Sequence, residues 1–159
     1  MGISRHHVRR LREAHGLTVV DLVIGVAVLG ILAAIAVPNL QPLLITYRLN
    51  GATRQVMGDL MAARMKAVSQ HRPFRIFFTE SQTYTICDDA NADGSVDNGE
   101  GAATVRDLQA TYPGVSVSAT TDPLFTAKGM ASGTTTITLT NSQGTKSLTV
   151  ARTGQVTIN

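Results

Sequence analysis

The sequence holds a single cysteine, Cys87, among its 159 residues. One cysteine cannot form an intrachain disulfide, so packing, hydrogen bonds or a bound metal must stabilise the folded chain. The sequence also lacks a nucleophile elbow, a P-loop and a dinucleotide fingerprint. Because no catalytic constellation is present, we expect a protein without enzymatic activity, and a membrane-anchored hydrolase is disfavoured.

Net charge is absent outside the N-terminal segment. The whole chain has a formal charge of +3, and residues 1–16, with four arginines and one glutamate, account for all of it. Residues 17–159 carry ten basic and ten acidic side chains. The isoelectric point of about 9.4 is therefore weak evidence for nucleic-acid binding by the rest of the chain. Arginines in front of an apolar segment favour a cytoplasmic N-terminus.

An apolar segment follows the basic N-terminal residues 1–16. Residues 22–37 contain no polar side chain, and Asp21 stands at their edge. A helix over residues 17–37 would be about 31 Å long at ~1.5 Å per residue, which matches the roughly 30 Å hydrocarbon core of a bilayer. A carboxylate at bilayer depth costs on the order of 2.5–3.5 kcal/mol. We therefore expect Asp21 to have a partner.

This N-terminal pattern resembles the class III signal of type IV prepilins and pseudopilins. Gly16 stands at the cleavage glycine, and Leu17 at the first mature residue, where the family prefers phenylalanine. Asp21 takes the fifth mature position, usually a glutamate, while Gly30 and Pro38 fall on the helix glycine and the helix proline. The resemblance implies that a prepilin peptidase and N-methyltransferase cuts after Gly16 and methylates the new amine of Leu17.

The resemblance also implies a role for Asp21 in assembly. In the filament, Asp21 of one subunit would neutralise the Leu17 amine of an incoming subunit. Because an unpaired buried charge is penalised heavily, this pairing would select the axial register. The alternative is that Asp21 is an ordinary interfacial acid that reaches the lipid headgroups.

Two other interpretations of the N-terminus stay open. A secretory signal peptide would use the A-x-A-like cleavage site at Ala34-Ile35-Ala36. An ordinary anchor would remain uncleaved. Against the signal peptide, Asp21 interrupts the apolar region near its start, and helical periodicity resumes after Pro38.

Beyond Pro38, apolar residues recur at helical spacing and predict an amphipathic helix that covers a sheet. The stripe consists of Leu49, Ala52, Val56, Leu60, Ala63 and Ala67, and Met57, Met61 and Val68 widen it. Pro73 should end this helix, because it pushes the preceding residue out of the α region.

The sequence after Pro73 is typical of strands. We predict strands over residues 74–79, 83–87, 115–117, 134–140 and 147–150, a turn at 141–144, and an edge strand over 155–158. The expected fold class is α+β and pilin-like, with a long N-terminal helix packed on a C-terminal antiparallel β-sheet domain. The expected organisation is a leader peptide (1–16), a transmembrane segment (17–38), an amphipathic continuation of the helix (39–72) and a periplasmic β-rich domain (73–159).

The C-terminal half resembles the GspH/FimT family, which comprises minor pseudopilins of type II secretion and minor pilins of type IV pili. The resemblance rests on Phe125, Gly129, Gly133 and Gly154-Gln155-Val156. It implies a single-pass protein of the bacterial inner membrane, with a cytoplasmic N-terminus, that assembles with other pilins or pseudopilins on an inner-membrane platform into a filament.

A DNA-binding minor pilin of natural transformation is the alternative function. Such relatives carry a C-terminal Gly-Arg-x-Arg tail, whereas this chain has Gly154-Gln155-Val156-Thr157, without either arginine. Phosphate binding needs several cations on one surface. We therefore do not expect nucleic acid as a partner.

The acidic loop over residues 89–100 is a candidate Ca²⁺ site. It matches the twelve-residue calcium loop, with oxygen side chains at positions one, three and five, glycine at six, and acids at nine and twelve. A strand is predicted before the loop, so it would not be an EF-hand, and the ion would be structural. The alternative is an acidic hairpin turn. The candidate ligands are Asp89, Asn91, Asp93, the Ser95 carbonyl, Asp97 and Glu100.

Overall fold

The computed structural model describes residues 18–89, 91, 93 and 103–159. The chain divides into two compact units, Met1–Asn39 and Leu40–Asn159. Helix α1 spans Val19–Gln70 and contributes to both. In the described residues, one helical segment, Val19–Val37, is long and apolar enough to cross a membrane, with a mean hydropathy of 2.7.

In the second unit, α1 covers the β-structure as the periodicity predicted. All six residues of the predicted stripe, from Leu49 to Ala67, are buried. Met57 packs against this core. Met61 and Val68 do not, since 42% and 44% of their surfaces are exposed. The prediction that these two residues widen the buried stripe is wrong, because the sheets cover a narrower face of the helix.

Helix α1 ends before Pro73, as predicted. His71 adopts a left-handed backbone conformation with φ of 54°. The N–H of Arg72 then donates to the carbonyl oxygen of Ala67 at 3.2 Å, a bond typical of helix C-termini. The chain turns here and enters the first strand.

The described strands form two four-stranded antiparallel sheets. The strands are β1 (Phe74–Phe77), β2 (Thr83–Asp88), β3 (Thr104–Asp107), β4 (Ser116–Ala119), β5 (Leu124–Phe125), β6 (Thr135–Asn141), β7 (Gly144–Val150) and β8 (Val156–Ile158). Sheet I has the order β3-β2-β1-β5, and sheet II the order β4-β6-β7-β8. In sheet I, Phe74 on β1 pairs with Asp88 on one side and Phe125 on the other.

Most strands lie where the sequence predicted them, including the edge strand β8. The sequence did not predict β3, β5 or the short helix α2 (Leu108–Thr111). Asp107 caps α2, and its side chain accepts bonds from the N–H groups of Gln109 and Ala110. The α+β prediction is confirmed, with helix α1 and both sheets enclosing one core.

The predicted turn at residues 141–144 joins β6 to β7 and also contacts the helix. The Asn141 side-chain oxygen accepts bonds from the N–H groups of Gln143 and Gly144, at 2.9 and 3.1 Å. Its amide nitrogen donates to the carbonyl of Ile45 on α1 at 2.8 Å. One side chain therefore shapes the hairpin and ties it to the helix.

Candidate functional site

The predicted N-terminal site is only partly described. Gly16 and Leu17 lie outside the described residues, whereas Asp21 lies in the first turn of α1. The carboxylate oxygen Oδ2 of Asp21 accepts bonds from the Thr18 N–H at 3.1 Å and from the Thr18 hydroxyl at 2.8 Å. In return, Thr18 Oγ1 accepts the Asp21 N–H at 3.2 Å.

This reciprocal arrangement is a capping box, with Thr18 at the N-cap and an acid three residues later. It satisfies backbone N–H groups that the first turn of a helix leaves without partners. It also turns the Asp21 carboxylate toward the N-terminal end of α1. The Thr-x-x-Asp spacing signals this motif in the sequence, and the sequence-based interpretation missed it.

The apolar segment behind Asp21 is exposed on every side. Its large aliphatic residues between Val19 and Val37 are 50–77% exposed. A helix that is apolar all round must be covered by lipid or by other protein. Gly30 lies within this segment, and a Cβ atom added there would meet no other atom within 4 Å. The helix assignment continues through Pro38.

The structure describes only part of the candidate calcium loop. Asp89, at its first position, is fully buried and pairs with the Nε of Arg75. The neighbouring Asp88 pairs with Arg72 Nη1 at 3.0 Å. Asn91 Nδ2 donates to Asp93 Oδ2 at 2.7 Å. The remaining candidates, Ser95, Asp97 and Glu100, lie outside the described residues.

The two buried aspartates each keep one oxygen, Oδ1, without a hydrogen-bond partner among the described residues. Such atoms are normally satisfied by protein, water or an ion. Within the described part of the chain, no group of three His, Cys, Asp or Glu side chains lies close enough to hold a metal. The arginine partners of Asp88 and Asp89 were not foreseen from the sequence.

A second polar contact that the sequence did not reveal connects α1 to sheet I. The Tyr84 hydroxyl on β2 donates to Asp59 Oδ2 on α1, and Arg106 Nε on β3 lies 3.4 Å from the same oxygen. Burial, and then the bond to Asp59, raise the pKa of Tyr84 well above its ordinary value of 10.0. A neutral tyrosine therefore links helix and sheet.

A third contact joins α1 to two loops through Arg64. Its Nε donates to the Gly129 carbonyl at 2.8 Å, and its Nη2 to the Thr153 carbonyl at 3.4 Å. Gly129 and Gly154 have φ values of 75° and 78°, which favour glycine. A Cβ atom at Gly154 would lie 2.1 Å from the Gly129 oxygen and 2.8 Å from Arg64 Nε. These glycines allow two loops to meet at the arginine.

Comparison with known proteins decides the family. The family profile described as type II transport protein GspH matches residues 52–154, well over half of the chain. The chain belongs to the GspH family. The matched region of this GspH protein contains the core face of α1 from Ala52 onward, the strands β1 to β7, and the Arg64 contacts. No curated protein sequence matches the chain.

Two solved structures share the fold of this GspH protein. The type IV minor pilin FimU of Pseudomonas aeruginosa superposes with a TM-score of 0.55 at 18% identity, covering 72% of this chain and 90% of FimU. The minor pseudopilin EpsH of the Vibrio cholerae type 2 secretion system superposes with a TM-score of 0.54 at 9% identity, covering 70% and 96%. The pilin-like fold predicted from the sequence is confirmed.

Family membership supports a role as a subunit of a pilus or pseudopilus. Proteins of this kind are structural subunits. The exposed N-terminal helix fits a membrane-anchored member of such an assembly.

Proposed function

We propose that this GspH protein is a minor pilin or pseudopilin that prepilin peptidase cuts after Gly16. The same enzyme methylates the Leu17 amine. The mature subunit is held in the bacterial inner membrane by the segment Val19–Val37, with the domain that follows in the periplasm. An inner-membrane platform then assembles it with other pilin-like subunits into a type II secretion pseudopilus or a type IV pilus.

The geometry of Asp21 is the observation that carries this proposal. Thr18 holds the carboxylate toward the N-terminal end of α1 through two bonds to Oδ2. Cleavage after Gly16 would place a charged amine immediately before Thr18. In an apolar environment a carboxylate and an amine are each costly alone and stabilise one another when paired. A neighbouring subunit's amine is therefore a fitting partner for Asp21.

The exposed helix supplies the second part of the mechanism. Before assembly, lipid covers the aliphatic side chains of the segment Val19–Val37. On extraction into a filament, the helices of other subunits must replace the lipid, since this apolar surface would otherwise face water. The charge pair at Asp21 then fixes the register in which the helices pack.

Two variants distinguish a role of the Asp21 carboxylate in assembly from its role in capping helix α1. Asp21→Asn keeps the shape of the side chain but removes its charge. Thr18→Ala keeps the charge and removes the hydroxyl, and with it one of the two bonds to Oδ2 and the bond from the Asp21 N–H. We expect both variants to insert into the membrane. In sheared filaments, immunoblotting should show at least a tenfold loss of Asp21→Asn and near wild-type amounts of Thr18→Ala. Equal incorporation of Asp21→Asn and wild type would exclude the assembly role.

A further inference from the structure

One edge of the second unit carries a cluster of exposed apolar side chains. Met65 and Met130 are 70% and 51% exposed, and Met61 and Val68 are also exposed. We call these four residues the methionine patch. Met61, Met65 and Val68 follow one another at helical spacing on α1. Met130 directly follows Lys128 and Gly129, which line a groove together with Met65 and Val68. Methionine side chains are flexible and suit adaptable protein-binding surfaces.

The patch lies beside a groove of about 340 Å³ lined by Arg64, Met65, Val68, Ser69, Lys128 and Gly129. Backbone bonds preform its loop side, because the Thr126 N–H donates to the Met130 carbonyl and the Gly129 N–H donates to the Thr126 carbonyl, both at 2.8 Å. Arg64 fixes this loop to α1. The groove is thus part of the folded structure.

The charge around the patch has one sign. Three segments meet here, residues 60–70, 126–133 and 151–155, and together they contain four cations and no acid. The cations, which we call the basic rim, are Arg64, Lys66, Lys128 and Arg152. In the described part of the chain, none of them pairs with a carboxylate. Because residues 17–159 are neutral as a whole, this local excess stands out.

We propose that the methionine patch and its basic rim form the docking surface for an acidic, partly apolar surface of a neighbouring pilin-like subunit. This inference rests on the proposed function and names the contact that the folded domain makes in the filament. Thioether and aliphatic groups contact apolar side chains of the partner. The free ammonium of Lys128 and the guanidinium of Arg152 meet its carboxylates and fix the orientation.

The chemistry of the patch favours protein over nucleic acid or lipid headgroups. Single-stranded nucleic acid is bound by a cationic groove together with aromatic side chains on which bases stack. The three segments that build the patch contain no aromatic residue. One of the cations, Arg64, is directed to backbone carbonyls. Methionine and arginine, by contrast, are enriched in protein interfaces.

A photo-crosslinking residue tests the contact in the full-length chain, in cells that assemble the filament. It is placed at position 65 in the patch and, as a matched control, at position 105, where Val105 is an equally exposed apolar residue on β3. We expect position 65 to yield an adduct with a pilin-like subunit identified by mass spectrometry. Position 105 should yield at most a fifth as much of that adduct.

Charge reversal then tests the basic rim. Combining Lys128→Glu with Arg152→Glu should lower the adduct yield from position 65 at least fivefold, whereas Arg54→Glu, an exposed cation elsewhere on α1, should leave it unchanged. The melting temperature of each variant checks folding, and Lys128→Gln with Arg152→Gln should give an intermediate loss.

Several outcomes would overturn the proposal. These are equal adducts at positions 65 and 105, yields that charge reversal leaves unchanged, or adducts with lipid or nucleic acid instead of a pilin-like subunit. If the chain enters filaments but position 65 gives no adduct, the docking surface is wrong and the proposed function stands. A chain that never enters filaments would contradict both the docking surface and the proposed function.

Discussion

At the residue scale, Gly154 and Gly129 show why single positions matter to this fold. Both take left-handed conformations at the point where Arg64 joins α1 to two loops. The sequence-based resemblance picked out both glycines as family positions. It could not give the reason, because the close approach of Gly154 to the Gly129 carbonyl depends on the tertiary structure.

Gly154→Ala should therefore destabilise the protein. The left-handed conformation alone costs roughly 1–2 kcal/mol for a residue with a Cβ atom, and the overlap with the Gly129 oxygen adds to this. Urea denaturation should show the loss. Gly133→Ala is the control, since a Cβ there meets nothing within 4 Å, and its stability should stay near wild type. Equal stability of the two variants would contradict the structure at this junction.

Tyr84 links pH to stability. Since burial and Asp59 raise its pKa above the ordinary value of 10.0, the folded protein keeps the phenolic proton at a pH where the unfolded chain loses it. The contribution is fully present below about pH 10 and is lost as the pH rises further, by about 1.4 kcal/mol per pH unit.

The Tyr84→Phe variant lacks the phenolic hydroxyl and therefore the proton that titrates. At neutral pH it should be less stable by about 1–3 kcal/mol, because Asp59 loses a buried donor. Above about pH 10 the wild type should lose stability more steeply than the variant, and the two curves should converge. Denaturation at a series of pH values measures this difference. Parallel curves would show that the hydroxyl is not held in the neutral form.

At the element scale, the amphipathic part of α1 was predictable because spacing alone determines which residues share a helix face. The hairpin of β6 and β7 was predictable from alternation and from turn residues at 141–144. Strand β5 was not, because two residues carry no periodic signal and the strand exists only through its pairing with β1. Helix α2 depends on the Asp107 cap and on Leu108, which is buried in the core.

The structure describes only three of the twelve residues of the candidate calcium loop, 89–100, so the predicted Ca²⁺ site stays a prediction. We propose that the loop binds Ca²⁺ in a structural role, with Asp89 as a ligand through Oδ1, which is buried and has no hydrogen-bond partner among the described residues. The Arg75 partner of Asp89 opposes this, since it already neutralises the carboxylate. The sequence pattern could not anticipate that arginine, which reaches the loop from the neighbouring strand.

A calcium titration tests directly whether this loop binds Ca²⁺. If the loop binds Ca²⁺, a hundredfold excess over Kd should stabilise the fold by about 2.7 kcal/mol and raise the melting temperature by several degrees. Mg²⁺ at the same concentration should have a smaller effect, and Asp97→Asn should abolish the response. An unchanged melting temperature would leave the loop as an acidic hairpin turn.

At the scale of the whole molecule, the chain combines an apolar helix with a folded domain of balanced charge. The sequence identified both parts and the family, since composition and periodicity are local properties. It did not predict that the strands divide into two sheets, because strand order depends on contacts between distant residues. Nor did it reveal the Asp59–Tyr84 and Arg64 contacts of helix α1, or the Arg75–Asp89 pair beside sheet I.

The central claim is that proteolysis after Gly16 releases an amine that pairs with Asp21. N-terminal sequencing with intact mass measurement of the protein recovered from cell membranes tests it most directly. We predict that the mature chain begins at a methylated Leu17, and that a Gly16 variant with a bulkier residue stays at full length. A chain that begins at Val37, or one that still carries residues 1–16, would contradict the account.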